Sequence, residues 1–386
     1  MAYIGNQITT TFPSSVTVDK INDVTYVPNP PSGNITGRRN LIINGAYQVA
    51  QRGTSNTNQG ASEGYKNVDR WNYTVGGTAT AGRFTLSQDT SDAPTSEGFG
   101  FCTKFDCTTA DTSIAAGEAL IWRTKLEGGD LQGIKKGTSS AEKITLSFYA
   151  KGTAATYAVE LHDEDNSRHN TQKFTVTTSW QRFELTFAAD TTGAFNNDHN
   201  ASLGIAFWLH GGSDYTGGTF TSNTWASRTA ANVAVGIDSF YSSTDNEFFI
   251  TGVQLEIGSQ ATPFEHRPYG DELDLCHRYF EKRNVDTANY ELLADSGVWT
   301  STTAWQCPVR FKKVMRTAPT ITNGGTLQVA LRNSPQNITA FNVADNHHGR
   351  SALLYGTTAT VSVSAGESAR LQSNSLNAYV QFDAEL

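Results

Sequence analysis

The feature that most constrains this fold is a strict alternation of apolar and polar side chains along several short segments. Every second residue from Ile144 to Ala150 is apolar, and Thr, Ser and Tyr stand between them. A period of two places successive side chains on opposite faces of a strand, so the segment predicts a half-buried β-strand. The same alternation recurs at 157–161, 183–187, 203–209 and 253–257.

Short strands joined by loops rich in Gly, Asn and Asp are typical of an antiparallel sandwich or jelly roll. With 17% charged and 11% aromatic residues among 386, the composition fits neither a disordered chain nor a helical bundle. No helical pattern of 10–15 residues separates the strands, which disfavours a parallel α/β sheet. We therefore predict an all-β fold.

The net charge and the cysteines limit the partners and the compartment. A net charge of −8 disfavours a nucleic-acid partner. No apolar stretch approaches the ~18 residues of a membrane helix, so we expect no membrane insertion. The N-terminus has no basic start and no apolar core, so we expect no secretory signal and maturation in a cytoplasm. The four cysteines match no zinc spacing and are expected to remain thiols: Cys102, Cys107, Cys276 and Cys307.

The chain divides into three predicted parts. Residues 1–39 form an extended N-terminal arm with strand-like pieces at 8–12 and 24–27, followed by prolines that fix an extended path. This arm is either a floppy terminus or a segment that orders on a partner. Residues 40–266 contain the alternating strands and form the jelly-roll sandwich. Residues 267–386 form a connecting helix and a C-terminal antiparallel β domain.

The connecting helix is predicted at about 269–283. Acidic Asp271 and Glu272 stand at its start and basic Lys282 and Arg283 at its end, which suits the helix dipole. The β pattern then resumes between Trp299 and Phe311, where apolar side chains recur at every second position. A last strand is expected at 379–386.

No motif supports catalysis. The glycine pairs near position 211 and 217 lack the lysine of a phosphate loop, and no nucleophile elbow is present. The segment 162–169 contains oxygen and imidazole ligands that would suit calcium, but a polar turn is expected there in any case. His347 and His348 are adjacent and are expected in a solvated loop. No carboxylate pair is distinguished among Asp106, Glu160, Glu184 and Glu256. We therefore expect no enzyme activity, metal or cofactor.

A binding face has better support than a catalytic site. An outward tryptophan among carboxylates and hydroxyls suits sugars, because the indole stacks on C–H groups while polar side chains bind hydroxyls. The same face could instead pack on another subunit or lie under a loop of this chain. Trp299 and Trp305 in the C-terminal part compete for the same role. The candidate glycan-binding residues are Tyr149, Glu160, Glu184, Trp208, His210, Tyr215 and Trp225.

Several segments together resemble the tail fibres of tailed bacteriophages. The stretch 40–45, with 48–53 and 68–71, is similar to the opening of the receptor-binding sandwich in these fibres. Position 46–47 departs from the pattern because an acidic residue is expected there, so a calcium site is not implied. The other similar segments are 1–5, whose counterparts are in marine phages, 249–258, 261–268, 272–281, 315–320 and 382–386.

The resemblance implies a virion structural protein with an N-terminal attachment arm, a carbohydrate-binding-like jelly roll and a distal β domain. Members of the family are usually homotrimers, assembled in the bacterial cytoplasm and mounted on the tail. The preferred function is non-enzymatic adhesion to a host-surface polysaccharide. The alternative is a fibre connector, tail adaptor or capsid decoration that packs on other virion proteins. A capsule depolymerase is least favoured, since no parallel β-helix repeat is present.

Overall fold

A computed structural model describes residues 38–78, 80–284, 292–330, 335–347 and 349–386, together with 20–21 and 24–25. The chain forms two compact units, Met1–Thr36 and Gly37–Leu386. In the first unit, strand β1 (Lys20–Ile21) pairs antiparallel with β2 (Val24–Thr25). The predicted strand at 8–12 and the proline-rich path lie outside the described residues. The predicted boundaries at 39 and 266 stay predictions.

Two six-stranded sheets form the sandwich of the second unit. Sheet I has the order β13-β10-β9-β12-β7-β4 and sheet II the order β11-β8-β14-β6-β5-β3. All pairings within both sheets are antiparallel. The strands are β3 (Ser55–Gln59), β4 (Asn72–Val75), β5 (Arg83–Asp89), β6 (Cys102–Thr109), β7 (Ala119–Glu127), β8 (Ile144–Gly152), β9 (Ala155–Asp163), β10 (Arg168–Val176), β11 (Gln181–Phe187), β12 (Ala201–Gly211), β13 (Ala226–Ser227) and β14 (Glu247–Ile257).

The sandwich core forms between the inner faces of the two sheets. Alternate residues of β8 and β12 point into it, as the sequence pattern predicts. Aromatic rings fill its centre: Trp71 and Trp122 stack with ring centroids 5.6 Å apart, and Phe148 meets Phe207 edge-on at 5.1 Å. Burial of these large apolar surfaces is the main favourable term in folding. The prediction of an all-β fold with few helices is confirmed.

The connecting helix is shorter than predicted. A single turn, α1, spans Ser213–Thr216, and the predicted helix, α2, spans only Tyr269–Cys276. The prediction that it continues to 283 is wrong, because Phe280–Asn284 form strand β15 and pair with the last strand of the chain. Sheet hydrogen bonds and the burial of Phe280 outweigh the favourable charge pattern of an isolated helix.

The C-terminal part contains a three-stranded sheet, β15-β23-β18, and a closed six-stranded barrel, β16-β17-β21-β20-β19-β22. Trp299 pairs with Trp305 across a barrel hairpin, and both side chains are buried. They are therefore not exposed as a competing ligand platform. The strands are β15 (Phe280–Asn284), β16 (Leu292–Trp299), β17 (Ala304–Arg310), β18 (Thr320–Gly324), β19 (Leu327–Ala330), β20 (Gln336–His347), β21 (Ser351–Thr358), β22 (Ser368–Ser373) and β23 (Tyr379–Asp383).

Buried charges fasten the end of the chain to the sandwich. The Glu385 carboxylate forms an ion pair with the Arg70 guanidinium and lies 3.4 Å from that of Arg52. Each arginine also covers an aromatic ring at 3.5 Å, Arg70 over Tyr279 and Arg52 over Phe280. Burial alone would lower the pKa of Arg70, but the Glu385 carboxylate raises it. The Arg70 guanidinium is therefore charged in the folded protein.

Among the described residues, no helix has the length and apolar character needed to cross a membrane.

Replacement of Glu385 by Ala should lower the free energy of unfolding by about 3–5 kcal/mol, because two buried guanidinium groups lose a carboxylate. Urea unfolding followed by tryptophan fluorescence measures the loss. The matched control is Glu63→Ala, since Glu63 is exposed. Equal stabilities for the two variants would contradict a structural role for the ion pair.

Candidate functional site

The structure divides the predicted glycan-binding residues between two faces of the sandwich. Glu160, Trp208 and His210 lie on the outer face of sheet I, and Tyr215 and Trp225 belong to a segment, 212–238, that comes after β12. Two other predicted residues, Tyr149 of β8 and Glu184 of β11, lie on the outer face of sheet II. The seven residues therefore do not form one site.

The outer face of sheet I is covered around Trp208. Its side chain is only 1% exposed and forms an apolar cluster with Val233 and Ala234. The Tyr215 ring lies 5.1 Å from the indole, and the indole N–H donates to Glu160 at 3.0 Å. Of the three alternatives that the sequence left open for this face, the structure shows the last at Trp208: a loop of the same chain covers the indole, which is therefore not exposed to a ligand. Strand alternation predicts the face of a residue but not what covers that face.

The other predicted polar residues of this face have internal partners. The Glu160 carboxylate accepts from Arg228 Nε at 2.7 Å and lies 3.5 Å from His169 Nδ1. Burial alone would raise the pKa of Glu160, but His169 and Arg228 outweigh it and lower the pKa to about 2. His210 is fully buried between Ser239 and Glu118, and burial lowers its pKa. These side chains have structural roles.

Trp225 has a comparable role at the edge of the sheet. Its indole N–H donates to the carbonyl of Ala188 at 2.7 Å, and its ring lies 5.5 Å from the Lys136 ammonium group. Lys136 in turn pairs with Asp163 at 2.6 Å and Asp190 at 3.1 Å. Trp225 thus packs against a buried ion-pair cluster.

The polar segment 162–169 contains the turn between β9 and β10 and the adjoining ends of both strands. Asp163 accepts from the backbone N–H and the side-chain amide of Asn166, and pairs with the Lys136 ammonium. The Lys136 ammonium therefore neutralises Asp163 in the position that a metal cation would need. Among the described residues, no group of three His, Cys, Asp or Glu side chains converges as metal ligands. The side chains of His347 and His348 lie outside that description.

An aromatic patch lies on the outer face of sheet II and consists of Phe99, Tyr149, Phe264 and His266. The ring centroid of Phe99 lies 5.2 Å from Tyr149, 5.0 Å from Phe264 and 5.2 Å from His266. Phe99 is buried beneath the other three, while Tyr149 and Phe264 are half-buried and His266 is exposed. The patch therefore leaves part of three aromatic rings open to solvent above one buried ring.

Strand geometry places the base of this patch. Gly252 has a φ of +62° within an irregularity of β14, where the pairing with β8 shifts between Thr251 and Gln254. A Cβ at Gly252 would lie 2.5 Å from the Phe99 ring. A side chain there would thus be strained and would displace the ring. Glycine at this position allows Phe99 to pack directly on the backbone.

Polar groups surround the aromatic patch. The Tyr149 hydroxyl donates to Glu97 at 3.4 Å, and Arg182 on the adjacent strand pairs with Glu184 at 2.6 Å. Glu184 is 48% exposed, so its carboxylate can accept further hydrogen bonds. Half-exposed rings beside carboxylates and a guanidinium are suited to bind C–H faces and hydroxyl groups together.

Sequence reasoning found two members of this region, Tyr149 and Glu184, and missed Phe99, Phe264 and His266. The missed residues stand in loops without alternation, and their contacts bridge 165 positions along the chain from Phe99 to Phe264. The one local signal is two aromatic rings close together in 264–266, after Pro263.

No protein-family model and no curated protein matches this chain. Among solved structures, the carbohydrate-binding module CBM4 has 11% sequence identity, with 55% of this chain and 97% of that chain covered and a TM-score of 0.28. The family 11 carbohydrate-binding module of a cellulosomal cellulase from Clostridium thermocellum has 12% identity, covers 52% and 97%, and has a TM-score of 0.26. The enzymatically active domain of tailspike protein 4 from bacteriophage CBA120 has 13% identity, covers 56% and 21%, and has a TM-score of 0.30. Similarities at this level carry no argument about the ligand or activity of this chain.

The low pKa of Glu160 predicts a pH dependence of stability. Its folded-state pKa of about 2 lies below the ordinary 4.5, so its ionised form stabilises the fold above pH 4.5. This contribution, about 3 kcal/mol, is lost as the pH falls from 4.5 towards 2. Thermal unfolding across this range should show a steeper loss for the native chain than for Glu160→Gln. Glu184→Gln, at an exposed carboxylate, should retain the native slope; identical slopes for all three would contradict the assignment.

Truncation of Trp208 should affect stability. Trp208→Ala removes a buried indole and leaves a cavity beneath 212–238, at a cost of about 3–5 kcal/mol. Chemical denaturation measures the change, and Tyr355→Ala, at a 40% exposed ring of the barrel, is the control. A Trp208→Ala variant of native stability would mean that the segment does not cover the indole in solution.

Proposed function

We propose that this chain is a non-enzymatic adhesion protein of a bacteriophage tail fibre that binds a host-surface polysaccharide through the aromatic patch. The observation that carries the proposal is the patch itself. Its rings are held by Phe99 and Gly252, and the carboxylates of Glu97 and Glu184 stand beside it. Rigid half-exposed rings supply contact area at low cost in conformational entropy.

Two of the four candidate carboxylates form ion pairs and a third accepts hydrogen bonds, which supports binding over bond cleavage. Glu160 pairs with Arg228, and Glu184 pairs with Arg182. Glu256 accepts from Gln254 and from Thr262. General acid catalysis of glycoside hydrolysis needs a carboxyl group whose pKa is raised, whereas the pKa of Glu160 is lowered. The proposed role is therefore recognition.

The place of the chain on the virion is part of the same proposal. Residues 1–39 attach it to other tail proteins, three copies associate, and the assembly forms in the cytoplasm of the bacterial host. The sequence resemblance to phage tail fibres supports this part. A single glycan site of this kind has an affinity in the millimolar range, about −4 kcal/mol. Several copies on one particle raise the avidity by roughly 10²–10⁴.

The test is competition between the purified full chain and phage particles for attachment to host cells. We expect an excess of the chain, with the mass of a trimer by light scattering, to block attachment. Tyr149→Ala should need about tenfold more protein for the same block, because loss of one stacking contact costs about 1.4 kcal/mol. Tyr355→Ala, at an exposed ring on barrel strand β21, is the matched control.

Two results would contradict the proposal. If the folded trimer does not compete at all, the alternative of a connector, adaptor or decoration gains support. If it competes but Tyr149→Ala and Tyr355→Ala match the native chain, the adhesive surface lies outside the aromatic patch.

A further inference from the structure

A cleft of about 760 Å³ lies where the sandwich, helix α2 and the loop before β18 meet. Gly129 and Asn197 of the sandwich form one wall, and Leu275 and Arg278 form another. Lys313 and Val314 border the cleft on the third side. A cleft of this size is within the usual range for a small-molecule site. It shares no residue with the aromatic patch.

The inner wall is held by one buried carboxylate. Glu127 accepts from Arg278 Nε at 2.8 Å and Nη2 at 2.6 Å, and from the Tyr279 hydroxyl. His199 Nδ1 lies 3.0 Å from the same carboxylate. Burial alone would raise the pKa of Glu127, but the hydrogen bonds from Arg278 and Tyr279 lower it. The inner wall is thus an ion-paired, hydrogen-bonded network around the Glu127 carboxylate.

Other polar side chains of the cleft are available for a ligand. The side chains of Arg38, Asp130 and Asn197 make no hydrogen bond with another described residue, and all three residues are exposed. They supply a guanidinium, a carboxylate and an amide, so both donors and acceptors point to solvent around the same cleft. Apolar surface of Ile43, Leu275 and Val314 lies between them.

The charges of the lining balance. Three cations, Arg38, Arg278 and Lys313, oppose three carboxylates, Glu127, Asp130 and Asp274. Two of the three cations pair with two of the three carboxylates. Arg278 pairs with Glu127, and Lys313 pairs with Asp274 at 2.8 Å. Balanced charge gives no net field that would favour a strongly anionic or cationic ligand. Apolar surface with donors and acceptors suits an uncharged molecule with hydroxyl edges and C–H faces.

We propose that this cleft is a second saccharide-binding site, which takes one uncharged sugar residue with its C–H face on Leu275 and Val314 and its hydroxyls on Asn197, Asp130 and Arg38. The inference shares only its ligand class with the proposed function. A chain with both sites would hold one polysaccharide at two points, and the two contacts together would raise the avidity of the chain for that polysaccharide.

Methyl NMR of the full chain, labelled at Ile, Leu and Val, tests this site directly because Ile43, Leu275 and Val314 carry methyl groups in its lining. The probes are D-glucose, D-galactose and N-acetyl-D-glucosamine, each titrated to about 50 mM to cover millimolar affinity, and sodium glucuronate as the charged comparison. We expect at least one uncharged sugar to shift the methyl resonances of all three residues, and the shifts to reach a plateau as the sugar concentration rises. Absence of shifts with all three uncharged sugars, or shifts with glucuronate alone, overturns the proposal.

Two variants test whether the sugar-dependent methyl shifts arise from binding in the cleft. Asn197→Trp fills the mouth of the cleft and should reduce the sugar-dependent shifts at least tenfold, whereas Asn342→Trp, at an exposed asparagine of β20, should retain them. Persistence of the shifts in Asn197→Trp overturns the proposal.

The aromatic-patch variant keeps the two sites distinguishable. Tyr149→Ala should weaken attachment to cells and leave the cleft shifts unchanged. If Tyr149→Ala abolishes the cleft shifts, the cleft is not an independent site and the inference fails, whatever the outcome for adhesion. If the cleft shifts persist and Tyr149→Ala competes as well as the native chain, only the patch assignment fails.

Discussion

The attachment of the three-stranded sheet to the sandwich depends on the buried ion pair between Arg70 and Glu385. The Glu385 side chain is 3% exposed, and its carboxylate pairs with Arg70 and Arg52. The Arg70 guanidinium in turn covers the ring of Tyr279. The last strand, β23, is central in its sheet between β15 and β18. Asp383 and Glu385 pair with arginines of the sandwich, so separation of the three-stranded sheet would leave Arg70 without its carboxylate and Arg52 with Asp69 alone. Strand β23 is thus the middle strand of its sheet, and its last residue, Asp383, also pairs with Arg52 of the sandwich.

The segments that resemble phage tail fibres meet around this junction. The Asn44 side chain donates to the carbonyls of Val49 and Asp69, and its backbone N–H donates to Glu272 at 2.6 Å. Arg267 pairs with the same Glu272 and donates to the carbonyl of Asn40 at 2.5 Å. Residues from 40–45, 68–71, 261–268, 272–281 and 382–386 therefore contact one another although they are distant in sequence. Much of the resemblance therefore lies where the sandwich joins helix α2 and the three-stranded sheet.

Alternation along single strands predicted much of the sandwich, and it failed where the answer depended on distant residues. The period of two predicts directly which side chains of β8 and β12 point into the core. It also predicts that Trp208 points to the opposite face of the sheet. The cover over Trp208 is decided by 212–238, whose Tyr215 and Val233 have no periodic pattern. The end of helix α2 at Cys276 was unpredictable for the same reason, since β15 forms only because β23 returns from the end of the chain. The aromatic patch needed Phe99 and Phe264 together, and only the tertiary fold unites them.

The two candidate binding surfaces therefore depend on different parts of the fold. The aromatic patch is built on sheet II, where the backbone of Gly252 leaves room for the Phe99 ring and Glu265 N–H donates to Gln254 of β14. The cleft is built on the junction, because Tyr279 touches both Glu127 in its wall and Arg70 in the ion pair with Glu385. Loosening the Arg70–Glu385 pair would remove one contact of the Tyr279 ring, whose hydroxyl donates to Glu127. The chain end and the wall of the cleft are thus joined through Tyr279, and the patch is joined to the same junction through Glu265, which accepts from Asn40 N–H and pairs with Arg267.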